Sequence, residues 1–503
     1  MKETINFNIS KFDETLDLDY IKYHGRVERI SDGIVFCSGL ESAKLHELIL
    51  IDNKYTGIVL DLSESYLGIG LFEDSPEIKE GMEAVATKQL FKLNASHEQL
   101  GTIIDTLGNR IDGGAPISKA VGVPAFNLAQ PIMSIEDVSK PLMTGQLIID
   151  ALTPIGHGQR QLVLGNRQTG KTQIALETIL NQKGKNVRCI YVAIGQKMAY
   201  IADIAETLEK SGAMQYTTIL SASASTSITM QYLAPYAGMA IAEYWASEGE
   251  RVVIVFDDLS KHADTYRTIS LLFKRPPGRE AYPGDIFYIH SSLLERASQL
   301  NVDNGSGSIS ALPIIELLSD DLTAYIPTNI ISITDGQLYL KSELFNGGQK
   351  PAIATGESVS RVGANAQYPL MQEYSSRLML IISQYSELKE FLTFDNNISK
   401  ENLIIIKKGQ ILLELFKQGV QRGYSEAQEL ILLYAFKHDH MLDMSIPEIA
   451  KFKVILTEKL AAELEFSEYN RVVVEETVLP EPMVAVFDTL IASSREALTC
   501  PQQ

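Results

Sequence analysis

The feature that most limits how this chain can fold is the segment from Gly165 to Thr172, which reads GNRQTGKT. It fits the pattern G-x-x-x-x-G-K-[ST]. In this pattern glycines let backbone N–H groups turn toward phosphate oxygens, the lysine reaches the β and γ phosphates, and the hydroxyl binds Mg²⁺. Residues 161–164 read as a short strand and residues 173–180 as a helix. Strand, loop and helix therefore follow in the order that phosphate binding at a helix N-terminus requires.

We predict that every residue of this segment contributes to a nucleotide site. The segment comprises Gly165, Asn166, Arg167, Gln168, Thr169, Gly170, Lys171 and Thr172. A second signal is the run from Arg251 to Asp257, an apolar strand that closes on a carboxylate. An apolar strand ending in Asp is common by itself, but downstream of a phosphate loop its carboxylate typically holds the Mg²⁺ shell. The sequence thus predicts ATP or ADP with Mg²⁺, and metal ligands at Thr172 and, through water, at Asp257.

Size and composition limit the class of protein. A chain of 503 residues predicts two to four domains. No apolar run reaches the 18 residues of a membrane span, and the start of the chain does not resemble a secretory signal. Three scattered cysteines favour a reducing compartment, and hence the cytoplasm. A formal net charge of −19 argues against a nucleic-acid partner.

The pattern along the chain divides it into four parts: an irregular arm at 1–23, a β-rich part at 24–91, an alternating α/β part at 92–367 and a helical part at 368–503. Six short runs at about ten-residue spacing predict a small barrel or sandwich. These runs are Gly25–Ile30, Gly33–Ser38, Leu48–Ile51, Tyr55–Leu62, Tyr66–Phe72 and Glu83–Thr87. The alternating part predicts a mainly parallel sheet covered on both faces.

After about residue 368, apolar residues recur at helical spacing and glycines become fewer. The predicted helices are Tyr374–Phe391, Lys400–Gln418, Ser425–Lys437, Ile446–Leu464 and Val484–Ala497. This part contains no set of residues that would perform chemistry, so we expect it to form a separate helical domain.

Several stretches together resemble the alpha subunit family of the F-type ATP synthase, over nearly the whole chain. They are PIGHGQR from Pro154, the phosphate loop, YVAIGQK from Tyr191, RPPGREAYPGD from Arg275, YIPTNIISITDGQ from Tyr325 and SVSRVG from Ser358. The resemblance implies a β-barrel, a RecA-type P-loop nucleotide-binding domain and a C-terminal helical bundle. It also implies a hexameric ring that alternates with beta-type catalytic subunits around a central gamma-type shaft, attached to the inner face of the membrane through the complex.

The resemblance also implies roles for individual residues. Gln196 stands where family beta chains carry a glutamate that activates the attacking water, so general-base help worth about 10²–10⁴ is expected to be absent. Arg361 matches the family arginine that reaches into the neighbouring beta-type site, where such a finger supplies about 10³–10⁵ in rate. Phe345 and Gln418 match family residues near the adenine.

The chain departs from the family pattern at Asn166, at Lys350 and around residues 420–422, which leaves base selectivity open. The arm lacks a clear amphipathic helix, which leaves attachment to a peripheral stalk or to other motor components open. Three alternatives remain at this stage. They are a paralogous rotary motor that drives other machinery, such as gliding motility in wall-less bacteria, a self-sufficient hexameric RNA translocase, and a scaffold without nucleotide.

Overall fold

A computed structural model describes residues 23–391 and 400–499 of the chain. The predicted arm at 1–23 lies outside these residues, apart from Tyr23. The first part is a closed barrel in which strands of five to eight residues pair antiparallel in the order β1-β2-β5-β4-β3-β6. The strands are β1 (His24–Ser31), β2 (Ile34–Gly39), β3 (Glu47–Ile51), β4 (Tyr55–Leu62), β5 (Leu67–Leu71) and β6 (Glu83–Leu90). Of the two predicted architectures, the barrel is confirmed.

The central part is built on a ten-stranded, mainly parallel sheet with the path β18-β17-β11-β16-β14-β12-β13-β8. Its path strands are β8 (Ile103–Ile104), β11 (Leu162–Gly165), β12 (Val187–Gln196), β13 (Thr217–Ser223), β14 (Arg251–Asp257), β16 (Ser308–Glu316), β17 (Gly336–Leu340) and β18 (Val359–Ser360). Off the path, β10 (Ile135–Glu136) pairs with β15 (Gln299–Leu300), while β7 (Lys92–Ala95) pairs with β9 (Val121–Pro124) in a separate ribbon.

Helices cover both faces of this sheet, as the alternating pattern predicts. They are α1 (Leu147–Leu152), α2 (Lys171–Leu180), α3 (Met198–Lys210), α4 (Ile228–Ser247), α5 (Leu259–Leu272), α6 (Ile286–Leu294), α7 (Tyr325–Ile333) and α8 (Ser342–Asn346). Because successive side chains of a strand point to opposite faces, β12 contributes to two cores. Cys189, Tyr191 and Ala193 pack in one cluster with α2 and the C-terminal helices. Ile190, Val192 and Ile194 pack in another with α4 and the barrel.

The C-terminal part is helical, as predicted, with different boundaries. Its described helices are α9 (Pro369–Ser375), α10 (Leu378–Phe391), α11 (Lys400–Leu415), α12 (Glu426–Lys437), α13 (Ile446–Ala461), α14 (Phe466–Glu475) and α15 (Glu481–Thr499). The single helix predicted over Tyr374–Phe391 is wrong, because α9 ends at Ser375 and α10 begins at Leu378. Helix α14 was not predicted: only Tyr469 and Val473 are buried along it, so its apolar stripe is short.

Candidate nucleotide site

The predicted phosphate loop connects β11 to α2 with backbone angles that suit close turns. Gly170 has φ of 97° and Gln168 has φ of 61°, both in the left-handed region that glycine adopts most readily. A Cβ on Gly165 would lie 2.5 Å from the carbonyl oxygen of Leu340 on the neighbouring strand β17. Only glycine fits there, so the loop can leave the sheet where the pattern places it.

The Lys171 side chain lies folded against this loop. Its Nζ donates to the carbonyl oxygens of Gly165 at 2.8 Å and of Asn166 at 2.5 Å. Burial lowers the pKa of Lys171, while the nearby carboxylates of Glu316, Asp258 and Asp257 oppose that shift. The loop thus holds an ammonium group close to three acidic side chains, at the N-terminus of α2.

Thr172 and Asp257, the two predicted metal ligands, lie on different elements and contact each other. The Thr172 Oγ1 donates to the Asp257 Oδ2 at 3.0 Å, the Tyr191 hydroxyl donates to the same oxygen, and the Gln196 Nε2 donates to Oδ1 at 3.0 Å. Asp257 is only 3% exposed, and its burial raises its pKa, while the Tyr191 and Thr172 hydroxyls oppose that shift. A carboxylate with several ordered donors has a fixed orientation.

Magnesium usually takes one or two carboxylates and completes its octahedron with water and phosphate oxygens. The hydroxyl of Thr172 beside the carboxylate of Asp257 fits that donor set. Across residues 23–391 and 400–499 there is no group of three or more His, Cys, Asp or Glu side chains that could hold a metal without such help. These two residues therefore suit a metal that arrives with a nucleotide.

The Gln196 amide has a defined orientation. Lys261 Nζ donates to its Oε1 at 2.7 Å, while its Nε2 faces Asp257. Lys261 belongs to α5, whose N-terminus is capped by Asp258 through a bond from the Lys261 N–H at 2.7 Å. Burial and the Asp257 charge raise the pKa of Asp258 to about 7. Gln196 is thus a neutral link between a lysine and the Asp257 carboxylate.

A pocket of about 680 Å³ extends from the phosphate loop toward the C-terminal helices. Gln168, Thr169, Gly170, Lys171 and Thr172 line one end, and the other end is lined by Phe345, Lys350, Gln418, Gly419, Val420, Arg422 and Gly423. Helices α2 and α3 form its sides through residues that include Glu177 and Tyr200. Its volume suits a mononucleotide, since small-molecule sites run to about 300–1,000 Å³.

Three residues of the loop do not line the pocket. Asn166 donates to the Ser342 hydroxyl at 2.9 Å and accepts from the Asp320 N–H at 2.9 Å. Arg167 pairs with Glu316 and is 80% exposed, and Gly165 ends the strand. These residues hold the loop in place from outside, while residues 168–172 face the cavity.

Arg361 is separated from the pocket. It follows β18, its backbone N–H donates to the Asp335 carbonyl at 2.8 Å, and its exposed guanidinium makes one long bond, at 3.4 Å, to the Ile331 carbonyl. Within residues 23–391 and 400–499 no carboxylate forms an ion pair with it. Of the other predicted residues, Phe345 and Gln418 line the pocket together with residues 168–172, whereas Gln196 and Asp257 contact each other beside the loop and do not line the pocket.

Several residues at the site escaped prediction. Tyr191 and Lys261 hold Asp257 and Gln196, while Glu177 and Tyr200 line the pocket. The signal for Tyr191 was its spacing, because it lies two residues before Ala193 and so on the same face of β12. Ala193 pairs with Asp257 on β14, which brings the Tyr191 side chain near that carboxylate. Glu177 lies two turns into α2 and belongs to no sequence motif, so no pattern pointed to it.

A barrel, a parallel sheet with a phosphate loop and a helical domain define a multidomain P-loop nucleotide-binding protein. The ATP synthase alpha/beta family model for the nucleotide-binding domain matches residues 145–360, and the model for the C-terminal domain of the same chains matches residues 367–488. Together they cover well over half of the chain.

Comparison with individual relatives supports the same family assignment. The chain is 50% identical to an ATP synthase subunit alpha 1 of Listeria welshimeri over 489 residues, covering 97% of this chain and 98% of the relative. It is 49% identical to an ATP synthase subunit alpha of Mycoplasma genitalium over 435 residues, covering 86% and 84%. The chain therefore belongs to the ATP synthase alpha subunit family. Among the described residues, no helix is long and apolar enough to cross a membrane.

Proposed function

We propose that this chain is the non-catalytic, nucleotide-binding alpha-type subunit of a hexameric F-type rotary ATPase. In this proposal it alternates with beta-type subunits around a gamma-type shaft and associates with the inner face of the membrane through the complex. The division into an arm at 1–23, a barrel at 24–91, a nucleotide domain at 92–367 and a helical domain at 368–503 is part of the same proposal.

The observation that carries this proposal is that the chain has a neutral amide at its own nucleotide site and an accessible arginine elsewhere. Gln196, a neutral amide bonded on both sides, lies beside the predicted metal ligand Asp257, whereas the Arg361 guanidinium lies away from this site and has no carboxylate partner within residues 23–391 and 400–499. A neutral amide cannot take the proton of an attacking water. An unpaired arginine is suited to the phosphate oxygens of another chain, because its planar fork is always charged.

Within the pocket, the N–H groups at the start of α2 and the Lys171 ammonium would bind the phosphates, with Thr172 and Asp257 holding Mg²⁺. The metal, when bound, neutralises phosphate charge. Asp257 keeps its orientation through Tyr191 and Gln196, so the metal ligands are arranged before binding. Nucleotide should therefore be retained and turned over slowly.

The isolated chain tests the first half of the proposal. Purified protein is loaded with Mg-ATP, passed through gel filtration, and its bound nucleotide is identified by chromatography over time. Retained ATP with turnover far below that of the assembled complex is expected. Rapid hydrolysis that Asp258→Asn abolishes would contradict the proposal, because it would identify a base within this chain; Asp258 is the group to test since its pKa is about 7.

The complex with its partner subunits tests Arg361. Arg361→Ala should lower ATP turnover by about 10³–10⁵, the range for arginine fingers, while native mass spectrometry still finds an assembled ring. Arg471→Ala is a matched control, because Arg471 is 61% exposed on α14 and, in the part of the chain that the structure describes, its ion pairs are with Glu468 and Glu475. Turnover of the Arg361 variant equal to that of the control would refute the finger role.

A further inference from the structure

A second cavity, of about 660 Å³, lies where the barrel, helices α4, α5 and α6 and the segment 126–129 meet. It shares no lining residue with the pocket at the phosphate loop. Its volume is within the range of small-molecule sites, about 300–1,000 Å³. Six of its nineteen lining residues are Phe or Tyr, whereas aromatic residues make up 8% of the whole chain, so its walls are unusually aromatic. The six are Phe126, Tyr232, Tyr236, Tyr266, Phe273 and Tyr288.

The polar groups of this cavity offer acceptors rather than donors. The Tyr236 hydroxyl donates to a backbone carbonyl of α6 at 3.0 Å, and the Tyr266 hydroxyl donates to the Asp285 Oδ2 at 2.5 Å. The Ser291 and Ser292 hydroxyls also donate to backbone carbonyls of α6, at 3.3 and 3.2 Å. Because these four hydroxyl groups already donate within the protein, an anionic ligand would find few donors there.

The charges at the cavity are negative in excess. In the described part of the chain Arg275 is the one lysine or arginine that lines it. The Arg275 guanidinium lies 2.6 Å from the Asp61 carboxylate and 3.8 Å from that of Asp285. His46 lines the cavity as well, but burial lowers its pKa to about 4, so its ring is neutral at pH 7. The carboxylates of Asp61, Asp285 and Glu295 thus exceed the positive charge by two, and the cavity favours a cationic ligand.

The two acidic lining residues stand at opposite ends of α6. Asp285 directly precedes the helix and Glu295 directly follows it. Since a helix rises about 1.5 Å per residue, the two lie about 15 Å apart along its axis. Tyr288, Ile289 and Ser292 line the cavity between them, at the three- and four-residue spacing of one helix face. Glu295 is exposed and forms no ion pair with any residue that the structure describes.

Two separated carboxylates with aromatic and aliphatic surface between them suit a linear molecule that has an ammonium group at each end. Ammonium groups form strong hydrogen bonds with carboxylates, and they are attracted to aromatic rings. We propose that this cavity binds a linear diamine or polyamine along α6, with one terminal ammonium at Asp285, the other at Glu295 and the methylene chain against Tyr288 and Ile289. The site is separate from the nucleotide pocket, so this inference does not depend on the proposed function.

Calorimetric titration of the full chain with three probes tests the length and the charge of the ligand, at an ionic strength of about 0.15 M that screens exposed charges. Decamethylenediamine is about as long as α6 and should bind. Putrescine has the same two charges but cannot reach both carboxylates, so its Kd should be at least about ten-fold higher, because one charge-assisted hydrogen bond is lost. Decamethylene glycol has the long chain without charge and should also bind at least about ten-fold more weakly. Absence of decamethylenediamine binding, or equally tight binding of the glycol, would overturn the inference.

Two substitutions locate the site. Glu295→Gln and Asp285→Asn each remove one charge, and the Asn keeps an oxygen for the Tyr266 hydroxyl. Each should raise the Kd for decamethylenediamine about ten-fold, because one terminal ammonium loses its carboxylate. Glu458→Gln is the matched control, since Glu458 is also exposed but lies on α13, and it should leave the Kd unchanged. The same loss in the control as in the two variants would mean general attraction to an acidic surface and would rule out this site.

Discussion

A buried pair of carboxyl groups, Asp150 and Glu429, lies where the nucleotide domain meets the helical domain. Asp150 accepts from the Thr144 N–H and hydroxyl and from the Gly145 N–H, at 2.8–3.1 Å. No described donor reaches either oxygen of Glu429. Burial, and then the Asp150 carboxylate, raise the pKa of Glu429 well above its usual value. Glu429 is therefore the partner that carries a proton in the folded state and can donate it to Asp150.

The charges around Glu429 do not cancel the rise in its pKa. Glu426 adds negative charge and raises the pKa of Glu429 further, while Lys185 lowers it. Lys185 is itself paired with Glu426 at 2.7 Å. The Tyr424 hydroxyl is neutral, because burial raises its pKa to about 12. The folded state thus binds a proton that the unfolded state releases above its ordinary pKa of 4.5.

Because the folded pKa is raised, the stabilisation is present below pH 4.5 and is lost as pH rises toward the folded value. Glu429→Gln replaces the proton by a permanent N–H donor. At pH 8.5 the substitution removes the free-energy cost of ionising or protonating a buried acid. The size of this cost is taken from that of a buried unsatisfied polar group, which is about 1–3 kcal/mol. We expect the free energy of unfolding to increase by that amount at pH 8.5, with a much smaller change at pH 5.5.

Scanning calorimetry of the full chain at both pH values measures this difference as a rise in melting temperature of a few degrees at pH 8.5. Glu458→Gln is the matched control, since Glu458 is exposed on α13 in the same domain and its side chain forms no ion pair with any residue that the structure describes. A variant that melts below wild type at pH 8.5, or that follows the wild-type pH dependence, would refute the assignment of the proton to Glu429.

Two other substitutions test the phosphate end of the pocket. Lys171→Gln should raise the Kd for Mg-ADP about 10- to 100-fold, because hydrogen bonds to charged groups contribute about 1.5–3 kcal/mol; titration calorimetry measures it, and an unchanged Kd would exclude phosphate contact. Gln196→Glu puts a second carboxylate beside Asp257 and Lys261. It should increase single-turnover ATP hydrolysis by the isolated chain, by up to the 10²–10⁴ of general-base catalysis, and an unchanged rate would mean that the missing base is not what limits hydrolysis.

Local patterns predicted the parts of the fold that depend on nearby residues. The barrel strands agree within about three residues at each end, because alternating runs between turns are a short-range signal. Thr172 and Asp257 were predicted as ligands of one metal because an apolar strand that closes on a carboxylate follows a phosphate loop, and their side chains lie 3.0 Å apart in the structure. The break between α9 and α10 could not be predicted, because residues 374–391 keep an apolar helical pattern across it.

At the end of the pocket away from the phosphate loop, the contacts between side chains could not be predicted from the sequence. Gln418 was expected near the base, and it lines the pocket, while its amide bonds with Leu147 and Gly145, which lie 271 and 273 positions earlier in the chain. Such pairings depend on how the helical domain docks on the sheet, and no periodicity records them. The same applies to Glu177, which becomes a pocket residue only because residues 419–423 pass over α2.

The bonds of Gln418 also bear on how long a nucleotide would remain bound. Gly145 accepts from both Gln418 and the Tyr424 N–H, so one carbonyl joins the sheet domain to the segment after α11. These bonds hold the segment 419–423, which forms this end of the pocket, against the sheet domain. Residence time would then depend on how firmly the helices hold to the sheet, and a force that tilts the helical domain would change the rate of nucleotide release.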